Sequence, residues 1–125
     1  MNYKIISMDF DGTLLTSDKQ VTEETRKTLM ELKEKSYIII GITARILPSV
    51  KNVCDINMFD YLILNNGNYI YNVREKAGTE IGYLNQEGLV KITNYFKDIS
   101  RKINYFSLNK CYVYKEIKPK TQSYN

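Results

Sequence analysis

Residues 5–18 read IISMDFDGTLLTSD, and the two carboxylates in the middle decide how the chain is read. An apolar run ends at Asp9, one residue separates it from Asp11, and Gly12 and Thr13 follow at once. Side chains alternate across a strand, so positions i and i+2 share a side. Gly12 lets the backbone turn tightly and come close to a ligand. Amides in such a turn can cradle an anion. Two adjacent carboxylates repel each other unless a cation or a shared proton intervenes. A hard divalent ion with oxygen ligands, Mg²⁺ before others, answers that need.

Working outward, residues 3–8 form a short buried strand by pattern. Thr22 is a suitable helix N-cap, with Glu23 and Glu24 in the first turn and Leu29 and Leu32 on one stripe. This predicts a helix over 22–35. Residues 37–42 (YIIIGI) are uncharged and rich in branched side chains, which suits a parallel strand covered on both faces. Residues 46–54 suggest a short helix with Pro48 in its first turn. Residues 61–64 (YLIL) make a third strand, closed by the turn signal NNGN. Strand, helix, strand, helix, strand implies parallel strands with right-handed crossovers. The predicted fold class is therefore α/β, a Rossmann-like, doubly wound parallel sheet. Ligands in such sheets bind beyond the carboxyl ends of the strands. Those ends carry Asp9 and Asp11, then Thr43 and Arg45, then Asn65 and Asn66. Thr43 alone could be a helix N-cap, and Asn65 and Asn66 could be turn residues only.

After Asn72 the texture changes. Residues 73–80 (VREKAGTE) read as a polar loop. Residues 87–102 read as a helix, with Leu89, Ile92, Tyr95, Phe96 and Ile99 at helical spacing and expected in a core. Residues 105–108 and 111–114 suggest a hairpin turning at Asn109 and Lys110. The polar tail, 118–125, is expected to be loose.

Composition excludes several chemistries. The chain has 125 residues, 43% hydrophobic and 26% charged, as expected of one modest globular unit. It contains no His, which removes Ser-His-Asp and Cys-His nucleophile pairs and His-ligated zinc. Cys54 and Cys111 form no C-x-x-C pair and are expected to be reduced thiols. No apolar run approaches the roughly 20 residues of a membrane span, and no signal peptide is evident, so a cytoplasmic location without membrane association is expected. The net charge is +4, with 18 basic and 14 acidic residues. The basic residues are scattered apart from Lys115, Lys118 and Lys120, without the stripe of a nucleic-acid surface.

The motif D-F-D-G-T-L-L resembles the first motif of the haloacid dehalogenase superfamily, dominated by Mg²⁺-dependent phosphatases. The longer stretch through G-I-T-A-R is similar to the start of a Cof-type sugar-phosphatase-like member, and NNGNYIY resembles the segment leading from core to cap. This resemblance implies a core at 1–72 and a partial α+β cap at 73–125. It implies that Asp9 is the nucleophile and Asp11 the acid/base. It implies Mg²⁺ on Asp9 and the Asp11 carbonyl, and a phosphoryl group near Gly12, Thr13, Thr43, Ala44 and Arg45. Where the family commonly has Gly, this chain has Ala44.

The resemblance also implies two later motifs, one supplying a Lys and one supplying acidic metal ligands. No D-D or G-D-x-x-x-D pattern follows residue 73, and Lys91, Lys97, Lys102 and Lys110 lie in cap-like segments. Three functions follow from these residues. One is a phosphatase of small phosphorylated metabolites, impaired in a chain this short. Another is an inactive protein that binds a phosphate ligand or a partner chain. The last is a phosphomutase or phosphotransferase. The first strand would be an exposed sheet edge, which implies a homodimer, a complementing chain or a fragment of a longer protein.

Overall fold

The structure is a computed structural model that describes residues 4–99 and 102–114. Two compact units divide the chain, one running through Tyr83 and one starting at Leu84. The first holds a five-stranded sheet in the order β1 (Lys4–Asp9), β2 (Tyr37–Ile42), β3 (Tyr61–Leu64), β4 (Tyr69–Asn72), β5 (Ala77–Glu80). The first three strands are parallel, and β4 and β5 are antiparallel to their neighbours. The expected α/β, Rossmann-like sheet is thus present, parallel where helices make the crossovers.

Helix α1 (Glu23–Glu34) joins β1 to β2. The Thr22 hydroxyl accepts the Thr25 N–H at 3.1 Å, satisfying one of the helix's free donors. Leu29 is buried on its inner face. Lys33, near its end, donates to the Asn57 carbonyl at 2.8 Å and the Phe59 carbonyl at 3.1 Å. Helix α2 (Leu47–Lys51) precedes β3 and carries Pro48 in its first turn, where a missing N–H costs nothing. It is shorter than the stretch 46–54 expected of it, because the chain turns at Asn52 and then makes a 3-10 turn at Ile56–Met58. The fully buried side chains are Phe10, Phe59, Ile39, Met58, Leu62, Leu64 and Val50. Phe10 and Phe59 stack at 5.4 Å between ring centroids.

Residues 73–80 depart from the loop expected there. Residues 77–80 pair with β4 as an antiparallel strand, with Asn72 opposite Ala77 and Tyr71 opposite Gly78. All four β5 residues are exposed, so the strand leaves no apolar alternation in the sequence. The compact unit consequently extends past residue 72 to Tyr83. At the other end of the strand order, one side of β1 has no neighbouring strand among the described residues, and Ile5 is exposed.

The second unit contains α3 (Gln86–Phe96) and a hairpin of β6 (Asn104–Phe106) and β7 (Cys111–Val113). Asn85 caps α3, its side-chain oxygen accepting the Gly88 N–H at 2.8 Å. The helix ends at Phe96 and not at 102, and residues 97–99 form turns. None of its residues is buried, contrary to the expectation of a core: Tyr95 is 72% exposed, and Ile99, in the turns beyond the helix, 69%. One helix and a two-stranded hairpin are too few elements to enclose an apolar face. The expected loose tail at 118–125 and the lysines at 115, 118 and 120 lie outside the described residues. Among the described residues, no helix is long and apolar enough to cross a membrane.

Candidate active site

The site lies at the carboxyl ends of the three parallel strands. Register sets Asp9 opposite Ile42 and Ile42 opposite Ile63, so the turns after β1, β2 and β3 emerge at one edge. Between Asp9 and Asp11, Phe10 is fully buried while both aspartates are exposed. The residue between the carboxylates therefore anchors them: its ring enters the core, and alternation sends its neighbours outward. The Leu14 N–H bonds the Asp9 carbonyl at 3.2 Å, and the Leu15 N–H bonds the Phe10 carbonyl at 2.8 Å. Gly12 sits at φ +86°, with open space where a side chain would begin. Backbone conformation, and not crowding, demands glycine there. The Thr13 N–H bonds the Phe10 carbonyl at 3.4 Å, tying the turn to its anchor.

Arg45 grips Asp11 in a two-point fork. Its Nε and Nη2 donate to Asp11 Oδ2 and Oδ1, each at 2.8 Å. Nη1 of the same guanidinium donates to Ser49 Oγ at 3.1 Å. Planar forks of this kind are the strong form of charge-assisted hydrogen bond. Lys19 adds a third donor, Nζ to Asp11 Oδ1 at 2.9 Å. Hydrogen bonds from Arg45 first and Lys19 second hold the Asp11 carboxyl well below the usual carboxylate range. The same fork pushes the Arg45 guanidinium up. Among the described residues, none hydrogen-bonds or ion-pairs with the Asp9 carboxylate.

Thr43 is the buried polar residue of the site, 4% exposed. Its Oγ1 accepts the Arg45 N–H at 3.1 Å, which leaves the hydroxyl proton to donate elsewhere. It does not cap α2, whose N-cap is Ile46. Asn65 and Asn66 act through their backbones. Both adopt left-handed φ, 53° and 56°, a region Asn tolerates better than most residues. The Asn65 N–H bonds the Arg45 carbonyl at 3.0 Å, and the Asn66 N–H bonds the Thr43 carbonyl at 3.4 Å. The turn at 43–45 is thus clamped to the end of β3, and Ala44 stands exposed at its tip. Ala44 is not among the residues with positive φ, so its backbone does not demand glycine.

The structure brings Asp11 and Arg45 into contact and holds Thr43, Asn65 and Asn66 beside them through the backbone. Sequence reasoning missed Lys19 and Ser49. A usable signal existed for Lys19: two carboxylates one residue apart need cations, and Lys19 is the next one along the chain. Among the described residues, no group of three or more His, Cys, Asp or Glu could hold a metal.

Comparison with known proteins places the fold in a family. A family model described as haloacid dehalogenase-like hydrolase matches residues 6–125. The HMP-PP phosphatase of Serratia proteamaculans is 34% identical over 73 residues, covering 58% of this chain and 27% of that protein. A haloacid dehalogenase-like hydrolase from Bacteroides thetaiotaomicron superposes with a TM-score of 0.75 at 22% identity, over 97% of this chain and 47% of its own. A sugar phosphatase of HAD subclass IIB superposes with a TM-score of 0.71 at 20% identity, over 88% and 43%. The chain spans less than half the length of each of these proteins. With the family model matching nearly the whole chain and these folds superposing on it, the chain belongs to the haloacid dehalogenase-like hydrolases.

Proposed function

We propose that this chain carries the nucleophile and acid/base of a Mg²⁺-dependent phosphatase acting on small phosphorylated metabolites, of the Cof-type branch and located in the cytoplasm. The observation that supports it most is an Asp9 carboxylate without a partner among the described residues, beside an Asp11 held two residues away by Arg45. In this reading an Asp9 carboxylate oxygen attacks phosphorus, and the bond from phosphorus to the substrate oxygen breaks. Asp11, protonated at that stage, gives its proton to the departing oxygen. Water then attacks the aspartyl-phosphate, Asp11 takes a proton back, and Asp9 and inorganic phosphate are released. Asp11 is ionised while the Arg45 fork holds it, so its acid role requires Arg45 to turn from the carboxylate toward the phosphoryl oxygens.

The chain's own donor set fits the ion. Asp9 is exposed and has no side-chain partner among the described residues. Its carboxylate and the Asp11 carbonyl are two hard oxygen ligands. Mg²⁺ commonly takes one or two carboxylates and completes its shell with water and phosphate oxygens. Bound there, it would offset the repulsion between the Asp9 carboxylate and a phosphate dianion. Thr43 would donate its hydroxyl proton to the phosphoryl group, and Gly12 would present its backbone N–H, the Thr13 N–H being held by the Phe10 carbonyl.

The test is hydrolysis of p-nitrophenyl phosphate with Mg²⁺, wild type against Asp9→Asn. Loss of about a hundredfold or more is expected when a nucleophile is removed. Equal rates would sink the proposal. A second reading is favoured by the Asp11 fork and the exposed β1 edge: a phosphate-binding protein without turnover that pairs through β1 with a second copy or a complementing chain. Saturable phosphate binding without Asp9-dependent hydrolysis, in a chain that sediments as an oligomer, would select it.

A further inference from the structure

Lys19 lies outside every motif that the proposed chemistry uses, yet its ammonium touches the site. The loop that presents it is built for the purpose. Its root is buried through Leu14 and Leu15. Its tip is closed by the Thr16 N–H on the Gln20 carbonyl at 2.9 Å and the Lys19 N–H on the Thr16 carbonyl at 3.0 Å. The Thr16 hydroxyl donates to the Gln20 carbonyl at 3.1 Å and accepts the Gln20 N–H at 3.2 Å. Within this turn Lys19 takes φ 60°, a left-handed conformation uncommon for a long side chain. Four hydrogen bonds therefore hold an unfavoured backbone conformation whose result is a cation 2.9 Å from Asp11.

Charge accounting explains what that cation does. Asp9, Asp11 and an incoming phosphoryl dianion would crowd negative charge at one sheet edge. The cations that meet Asp11 among the described residues are Arg45 and Lys19, and none meets Asp9. Two other lysines are engaged away from it: Lys33 faces Asp60 at 3.4 Å, and Lys91 pairs with Glu87 at 2.7 Å. Lys19 has the mobility the task needs. Its side chain is 55% exposed, on a flexible four-carbon stem that serves phosphate as a point charge.

We infer that Lys19 is the phosphoryl-binding cation of this site, its ammonium passing from Asp11 Oδ1 to a non-bridging oxygen when a phosphate monoester arrives. Arg45 forms the second arm of the same clamp. The inference rests on the phosphatase reading and names the residue that neutralises the substrate in it. The competing role is a mere tie between the loop and Asp11.

Binding of inorganic phosphate with Mg²⁺, measured by calorimetry on the full chain, separates these roles. Lys19→Gln should weaken phosphate binding by about tenfold, and Lys19→Arg should restore it to within about threefold. The loss should persist in an Asp11→Asn background, because the lost bond is to phosphate. A loss that vanishes in that background would show that Lys19 only positions Asp11, and would overturn the inference. Undiminished binding by Lys19→Gln would overturn it as well. If wild type hydrolyses p-nitrophenyl phosphate and Lys19→Gln matches it in KM and in phosphate binding, the inference alone falls. If wild type neither binds phosphate nor shows Asp9-dependent hydrolysis, the phosphatase reading falls and takes the inference with it.

Discussion

Gly41 is the position where one added methyl group should disturb the site from beneath. It lies in β2, paired with Met8 of β1. A Cβ built there would stand 2.6 Å from Phe10 Cε2, 2.9 Å from Leu62 Cδ2 and 3.0 Å from Phe59 Cε1. Ordinary carbon contacts fall near 3.5–4.0 Å, so the Phe10 ring would have to retreat by roughly 1 Å. It has nowhere easy to go, because Phe10, Phe59 and Leu62 are all fully buried and the two rings stack. Overpacking of this kind costs about 1–3 kcal/mol. Alanine returns about 0.5–1 kcal/mol through lost backbone freedom in the unfolded chain. The balance for Gly41→Ala is a destabilisation of about 1–2 kcal/mol. For a chain of this size that lowers Tm by about 3–10 °C. Thermal denaturation followed by circular dichroism reads the shift. Because Phe10 separates Asp9 from Asp11, the displaced ring should also loosen the carboxylates, and turnover should fall with stability. A variant that melts at or above the wild-type temperature would refute the packing argument and the anchoring role given to Phe10.

Asp60 should prove a structural keystone and not a site residue. Its Oδ2 accepts the Ile39 N–H at 2.8 Å, and Ile39 is fully buried. Asp60→Ala leaves that donor unpaired and should cost about 1–3 kcal/mol in urea unfolding, whereas a change within a few tenths would contradict the assignment. The two thiols should separate by reactivity. Burial, with Asp55 beside it, pushes the half-buried Cys54 thiol up to about 11, while Cys111 is exposed. Cys54 then holds roughly a hundredfold less thiolate at pH 8 than an ordinary thiol, so iodoacetamide labelling should show one fast and one slow site. Cys54→Ser should remove the slow phase; equal rates would count against the burial. The sign for stability follows. A thiol kept neutral by the fold stabilises it below the ordinary thiol range, and that contribution is lost as pH rises from there through about 11.

Much of the fold and part of the site were legible in the chain itself, because their causes are local. Uncharged runs at 37–42 and 61–64 suit strands of a parallel sheet, and the structure places them in its parallel part. Thr22 followed by two acids starts a helix whatever its neighbours are. The D-x-D spacing with glycine after it already puts two carboxylates on one side of a turn. Asn65 and Asn66 announce a turn, and their left-handed backbones bear that out.

Other features had no local cause to read. Strand β5 is exposed throughout, so nothing in residues 77–80 distinguishes a ladder from a loop until Tyr69–Asn72 supplies the partner. The helix at 86–96 has the spacing of a core element, yet spacing says only that a face exists and not that anything covers it. The state of Asp11 was the least legible of all. Arg45 lies 34 residues away in the chain and Lys19 eight, and neither distance hints at a three-donor grip on one carboxylate. The residues at 5–18 determined by themselves where two acids would stand. Only the tertiary structure decided which of the two meets the cations, because Coulomb forces and hydrogen bonds act across space after the sheet has brought distant turns to one edge.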